Sequence, residues 1–181
     1  DMVLTGTFSG SDIENDQLTY SIVSDPSLGS ATLINEATGT FTYTPNANIN
    51  GTDIFTYKVS DANGESNVAA VTVTINAVND KPGSAALSFA VSEDMVLTGT
   101  LSGSDIENDQ LIYSIVSDPS LGSVILIDET TGIFTYTPGS DLNGPDSFSY
   151  VVYDGLEHSN VATVEIVIDP VNDIPEAFDG T

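Results

Sequence analysis

The 181-residue chain holds 27 Asp and Glu residues against two Lys, Lys58 and Lys81, and no Arg, for a formal net charge of −25. So acidic a chain repels polyphosphates and anionic lipid surfaces, which argues against nucleic acid and membrane insertion and leaves cations as the natural counter-charge. Without Cys it has neither a disulfide framework nor a thiolate zinc site, and its 40% apolar content suffices for real cores.

Shifted by 93 residues, 1–82 aligns with 94–175 without a gap, and 55 of those 82 positions are identical. A repeat of that length, rich in short alternating runs and free of helical periodicity, is too long for a solenoid turn and suits one β-sandwich per copy. The expected fold is all-β, with two tandem Greek-key, Ig-like or cadherin-like seven-stranded β-sandwiches. The expected domains are 1–80, which has no counterpart of the first strand, then 81–173, and at 174–181 the start of a third repeat. No signal peptide or long apolar run is present and Asp1 falls inside a repeat, so the chain reads as cut from something longer. A first domain without its first strand would expose a sheet edge that another strand could fill.

Taken in chain order, the second repeat opens with a strand over 86–92, with Leu87, Phe89 and Val91 inward, and a strand over 95–102, with Met95, Leu97 and Leu101 inward. The knot Gly103-Ser-Asp-Ile-Glu-Asn-Asp109 follows, an almost unchanged copy of Gly10-Ser-Asp-Ile-Glu-Asn-Asp16. It leads into a strand carrying Leu111, Tyr113 and Ile115. Later strands carry Leu126, then Phe134 and Tyr136, then Phe148, Tyr150 and Val152, and finally Ala162, Val164, Ile166 and Ile168. Asp53 and Asp146 stand four residues before Tyr57 and Tyr150, a spacing that matches either a tyrosine bonding back to the backbone or two ordinary core tyrosines. Each repeat closes on Val-Asn-Asp-x-Pro, at Val78–Pro82 and Val171–Pro175, where proline ends the ladder and stiffens the passage, so that an array should be rod-like.

Because strands alternate direction, loops distant in sequence gather at two ends. The end where the first strand enters collects Asp105, Glu107, Asn108 and Asp109 with Asp154 of the Asp154-Gly155 turn, and Asp128 and Glu129 near them. The opposite end of the first repeat brings Asp1, Asp53 and the linker pair Asn79 and Asp80 to the same junction. Two carboxylates about 5 Å apart repel by roughly 3 kcal/mol at an effective dielectric near 20, so such a gathering calls for a cation. Calcium accepts six to eight oxygens in a flexible shell, whereas magnesium demands a tighter octahedron. Asp and Asn also populate turns for conformational reasons alone, so the acidic knot by itself is a weak signal.

The run Asp105–Ile115, the Ser92-Glu93-Asp94 turn, the Asp154-Gly155 turn and the Val-Asn-Asp-x-Pro linkers together resemble the cadherin-like tandem repeats of large bacterial surface adhesins, including the extender regions of RTX adhesins. The resemblance spans essentially the whole chain, twice. It implies calcium held at domain junctions by Asp1, Asn79 and Asp80 on one side and by Asp105, Glu107, Asp109 and Asp154 on the other. It further implies Glu93, Asn172 and Asp173 at the far end of the second repeat, and Asp12, Glu14 and Asp61 as the equivalent set in the first. The linker is one residue shorter than the animal cadherin pattern, and its first Asp is replaced by Ala77 or Pro170.

Catalysis has little to work with. His158 is the single histidine and is Glu65 in the first repeat, Lys58 becomes Val151, and a hydrolytic carboxylate pair would need a geometry that a solvated or metal-bound loop does not require. The expected function is a non-enzymatic, calcium-stabilised extender of a bacterial cell-surface adhesin, extracellular, in which neighbouring repeats of the same chain are the partners and biofilm attachment is the setting. The alternative is a module that binds carbohydrate or protein, homophilic contact included. A third reading, an acidic halophile surface, predicts acids spread over strand faces, whereas here they concentrate in loops.

Overall fold

The structure, a computed structural model, describes residues 2–173, so Asp1 and the expected start of a third repeat at 174–181 lie outside the described residues. The chain divides into two compact units, one ending at Val78 and the other beginning at Asn79. The division falls two residues ahead of the expected boundary at 80, because Asn79 and Asp80 hydrogen-bond within the second unit, to Asp154 and Glu107. Every regular element described is a strand.

The first unit contains β1 (Leu4–Thr7), β2 (Thr19–Ser24), β3 (Gly29–Asn35), β4 (Thr40–Pro45), β5 (Gly51–Ser60) and β6 (Ala69–Ile75). They form two antiparallel three-stranded sheets, β1-β4-β3 and β2-β5-β6. In the second unit, β7 (Gly83–Ser84) and β10 (Gly103–Ser104) form a two-residue ladder at one end. The sandwich proper consists of β8 (Leu87–Ser92), β9 (Leu97–Thr100), β11 (Ile112–Ser117), β12 (Gly122–Asp128), β13 (Ile133–Pro138), β14 (Gly144–Tyr153) and β15 (Ala162–Asp169). One sheet runs β12-β13-β9 and the other β11-β14-β15-β8, with β8 parallel to β15. That is the expected seven-stranded sandwich in the second unit; among the described residues the first unit has six strands.

Period-two alternation sets the core. Along β15, Ala162, Val164, Ile166 and Ile168 are buried while each residue between them is exposed; Phe148, Tyr150 and Val152 of the neighbouring β14 extend that wall, and Phe134 and Tyr136 of β13 close the opposite one. In the first unit Phe8 takes the place of Leu101 and stacks on Tyr57 at 4.2 Å and on Phe41 at 4.5 Å. One inward expectation fails: Met95 is 62% exposed. Its N–H closes a tight turn onto the Ser92 carbonyl at 3.0 Å, so the ladder starts only at Leu97. The next inward position is Gly99, where a Cβ would lie 2.5 Å from the Phe134 ring; the ring itself fills that part of the core.

Asp53 and Asp146 are structural residues, which corrects the placing of Asp53 among junction ligands. Asp53 is 1% exposed, and its carboxylate accepts the N–H groups of Ser27 (2.9 Å), Leu28 (2.8 Å) and Ile54 (3.0 Å) and the Tyr43 hydroxyl (2.8 Å). Asp146 repeats the pattern with Ser120, Leu121, Ser147 and Tyr136. Each carboxylate ties the loop between β2 and β3, or β11 and β12, to the start of the long strand, leaving nothing over for an ion. Burial alone would push the Asp53 carboxyl up, but its four donors outweigh burial and hold it at about 2. The same contact and burial push the Tyr43 hydroxyl up to about 12.

The tyrosines four residues on do bond back to the backbone. Tyr57 donates to the Ser9 carbonyl at 3.0 Å and Tyr150 to the Ser102 carbonyl at 2.7 Å, 48 residues upstream. They pin the end of the opposing sheet rather than a corner a few residues away.

A carboxyl held below its ordinary value of 3.8 contributes stability that is complete above that value and lost as pH falls towards about 2. Asp53→Asn, which turns an amide N–H₂ towards N–H donors, is expected to cost the first unit about 3 kcal/mol at neutral pH and to flatten its acid unfolding between pH 4 and 2. Circular dichroism against pH and denaturant checks both, and the cost should be the same in calcium and in chelator.

Candidate functional site

β14 rises to the end of the second unit at which the chain enters, and β11 leaves from it, so the Asp154 turn and the acidic knot share that end with Asn79 and Asp80. In the knot, the Asp109 N–H bonds to Asp105 Oδ1 at 3.0 Å, and Asn108 adopts φ 61°, the left-handed region that Asn tolerates. The turn therefore closes on its own first residue and leaves Asp105 with one oxygen to spare. That oxygen, Oδ2, is buried and has no hydrogen-bond partner.

Five more of the expected residues, Asp154, Glu107, Asp109, Asn79 and Asp80, stand at the same end. Asp154 is 7% exposed; its Oδ1 accepts the Leu156 and Glu157 N–H groups at 2.6 Å each, and its Oδ2 accepts the Asn79 amide at 3.0 Å. The Asn79 amide, with those turn N–H groups, holds the Asp154 carboxyl below the usual carboxylate range. Glu107 Oε2 accepts the Asp80 N–H at 3.2 Å. Asp109 offers its backbone to the turn and an exposed side chain to solvent. Asp128, expected near this group, spends its Oδ1 on the Thr130 and Thr131 N–H groups and the Thr130 hydroxyl, which pull its carboxyl down to about 2.

The opposite end of the second unit gathers a second set. Glu93 is 5% exposed; it accepts the Val171 N–H at 2.5 Å and the Asn143 amide at 3.5 Å, which places it against the stretch leading to Asn172 and Asp173. Partial desolvation and the neighbouring carboxylates of Asp94, Asp141 and Glu93 push the Asp173 carboxyl up. Sequence reasoning overlooked Asp94, Asp141 and Asn143. The signal available for the last two was their place in the loop between β13 and β14, which strand alternation sends to this end.

In the first unit Asp12 repeats the knot, accepting the Asp16 N–H at 2.9 Å with Asn15 at φ 59°. Asp61 accepts the N–H groups of Asn63 and Gly64, which pull its carboxyl down, and its own neighbour Asn63 supplies the side-chain amide that Asn79 supplies to Asp154. Glu14 is exposed.

Among the described residues, no three acidic or histidine side chains converge on one point. The donor set nevertheless suits a hard divalent cation. It is all oxygen, carboxylate and amide, and it includes a buried carboxylate oxygen without a proton donor at one end and an unneutralised carboxylate group at the other.

Comparison with known proteins agrees with the fold. Residues 2–77 match the model of the bacterial cadherin-like domain and residues 79–167 that of the bacterial Ig domain. The two matches lie in tandem, one on each unit, and modules of both kinds are typically structural or adhesive rather than catalytic. Two relatives from Dictyostelium discoideum are Integrin beta-like protein C, 27% identical over 119 residues, and Integrin beta-like protein E, 36% identical over 81. The matches cover 58% and 43% of this chain and only 6% and 4% of those proteins. Among solved structures, human Protocadherin-24 EC1-2 aligns with a TM-score of 0.61 at 16% identity, covering 93% of this chain and 88% of that one. Human CDH23 EC21-23 aligns with a TM-score of 0.61 at 16% identity, covering 91% and 66%. At that identity the likeness shows the fold.

Asp173 has the opposite sign from Asp53: a raised carboxyl contributes stability below its ordinary value of 3.8 that is lost as pH rises through the raised one. In chelator, Asp173 should therefore add to the stability of the second unit as pH is lowered, against the loss from the lowered carboxyls of Asp128, Asp146 and Asp154. Relative to the parent, Asp173→Asn should raise the melting temperature at neutral pH in chelator and lose that advantage as pH falls, as differential scanning calorimetry of the two chains side by side would record.

Proposed function

We propose that the chain is a calcium-stabilised spacer of an extracellular bacterial surface adhesin, of the RTX extender kind. The observation that carries this reading is the buried, unpartnered Oδ2 of Asp105, at the same end of the second unit as Asp154, Glu107, Asn79 and Asp80. A buried carboxylate oxygen without a donor costs several kcal/mol. Calcium, when bound, would supply the positive charge that turns repulsion among these carboxylates into attraction.

Asp105, Glu107, Asp154, Asn79 and Asp80 are the residues that would hold an ion at one end of the second unit. Glu93, Asp94, Asn172 and Asp173 would do so at the other. Asp12, Glu14 and Asp61 are the equivalent set in the first unit. Further repeats of the same chain are the partners that such ends would face, which fits two near-copies of one bead better than one specialised pocket.

In the described residues no helix is long and apolar enough to cross a membrane. The concentration of acids in loops rather than on strand faces favours ion binding over a generally hydrated surface.

Melting with and without calcium tests the reading. Calcium at about tenfold its dissociation constant stabilises a binding unit by roughly 1.4 kcal/mol, on the order of 5–10 °C for a domain of this size. Asp105→Asn should lose most of that shift while melting at least as high as the parent in EDTA, because it removes an unpaired buried charge. A melting temperature indifferent to both millimolar calcium and EDTA would sink the calcium reading.

A further inference from the structure

The second unit has all seven strands of its sandwich, and one of its edges is unguarded. β12 is the outer strand of the β12-β13-β9 sheet, with no neighbour on its far side among the described strands. Over 122–127 it reads Gly-Ser-Val-Ile-Leu-Ile, without charge or proline, and Val124, Ile125 and Ile127 are β-branched residues that favour strand. Such a stretch is a ready template for another strand, because its outer N–H and C=O groups are unmet; edges are ordinarily blunted by Lys, Pro, an inward charge or shortness. β12 has only a bulge between Leu126 and Asp128, at its far end. The opposite edge of the same sheet, β9, is four residues long.

This edge is continuous with a face that carries no charge. Period-two alternation turns Ile125 and Ile127 outward, 60% and 59% exposed, and Ile133 and Thr135 of β13 and Thr98 and Thr100 of β9 share that face. In a chain with 27 acidic residues, none stands at an outward position of these three strands before Asp128. Inward, Val124 and Leu126 pack on the core and stay half-buried, as side chains of an outermost strand do. The sandwich itself does not require so apolar an edge. The first repeat carries Ala31, Thr32 and Thr40 where the second has Val124, Ile125 and Ile133, and its β3 pairs with β4 in the same register.

We propose that β12 is a self-association edge: it pairs antiparallel with β12 of a second copy of the chain, joining two three-stranded sheets into one of six. Two chains of net charge −25 repel each other, so they can approach closely only where both surfaces are uncharged. A strand that meets its own copy fulfils that condition on both sides at once, and an antiparallel pair of identical strands is closed by a two-fold axis. A basic partner would find no carboxylate along 122–127 to recognise. The register follows from the side chains. Ile125 stands opposite the partner's Ile125, Val124 opposite the partner's Leu126 and Ser123 opposite the partner's Ile127, which keeps outward residues with outward ones. The two Asp128 carboxylates then lie at opposite ends, about 20 Å apart along the strands, whereas a shift by two residues would set Val124 against the partner's Asp128. Six paired residues fall well short of the roughly 800 Å² per partner of a standard interface, so the dimer is weak and strengthens as salt screens the acids.

Sedimentation equilibrium of the full chain in EDTA tests this, and the result stands whether or not the chain binds calcium. The expected result is a reversible monomer–dimer equilibrium that tightens at least about tenfold between ~0.02 M and ~0.5 M NaCl. Ile125→Lys, which places a charge on the edge at an exposed position, should weaken dimerisation at least about tenfold while leaving the melting temperature close to the parent's. Ile125→Thr, the residue that the first repeat carries there, should weaken it less. The chain has no Cys, so Ile125→Cys offers a single thiol; oxidised glutathione should link it into a covalent dimer. Leu156→Cys, at a more exposed site between β14 and β15, should not be linked under the same conditions. A chain that stays monomeric at about 1 mM in ~0.5 M NaCl would overturn the proposal and leave the edge to an unlike strand. A dimer indifferent to Ile125→Lys, or one that Leu156→Cys cross-links as readily as Ile125→Cys, would overturn it equally.

Discussion

A chain with 27 carboxylates and two ammonium groups cannot satisfy its acids with salt bridges; they must be met by backbone N–H groups, by hydroxyls and amides, or by ions from solution. The single ion pair described, Lys58 with Glu65, is a surface contact of little energetic weight. The architecture follows from how this shortage of donors is distributed. Where an aspartate is buried between sheets, the fold aims three N–H groups and a tyrosine hydroxyl at it, as at Asp53 and Asp146. Where one closes a loop, it caps its own turn, as at Asp12, Asp61, Asp105 and Asp128.

At the ends of the second unit the supply of donors runs out. Asp105 Oδ2 is left with none, and Asp173 stands among Asp94, Asp141 and Glu93. The same residue type thus plays opposite parts within one domain. Asp146 stabilises by being fully coordinated by protein, and Asp105 is the natural place for something that the protein does not supply. Burial, which the two share in part, does not separate them; the count of donors does.

Much of this is legible in the sequence, and the reasons are particular. The 93-residue repeat, the alternation along Ala162–Ile168 and the Val-Asn-Asp-x-Pro closures identify a tandem of sandwiches, because inward residues must fall at every second position and proline must end a ladder. Strand alternation alone brings Asp105, Glu107 and Asp154 to the end where Asn79 and Asp80 enter. Met95 was misread because a tight turn and a strand start look alike in an apolar run, and only the Ser92 carbonyl distinguishes them. Asp53 was misread because an acidic residue at a strand start looks the same whether it faces solvent or four donors.

By itself, then, the sequence determined the fold class, the period, the inward rows and the acidic loops that share an end, since all of these follow from local alternation and chain direction. Tertiary structure decided which carboxylates are already spoken for and that Asn79 and Asp80 belong with the second unit. These depend on how many donors reach one oxygen. That count is not a property of a residue and its sequence neighbours; it arises only when strands far apart in the chain are laid side by side.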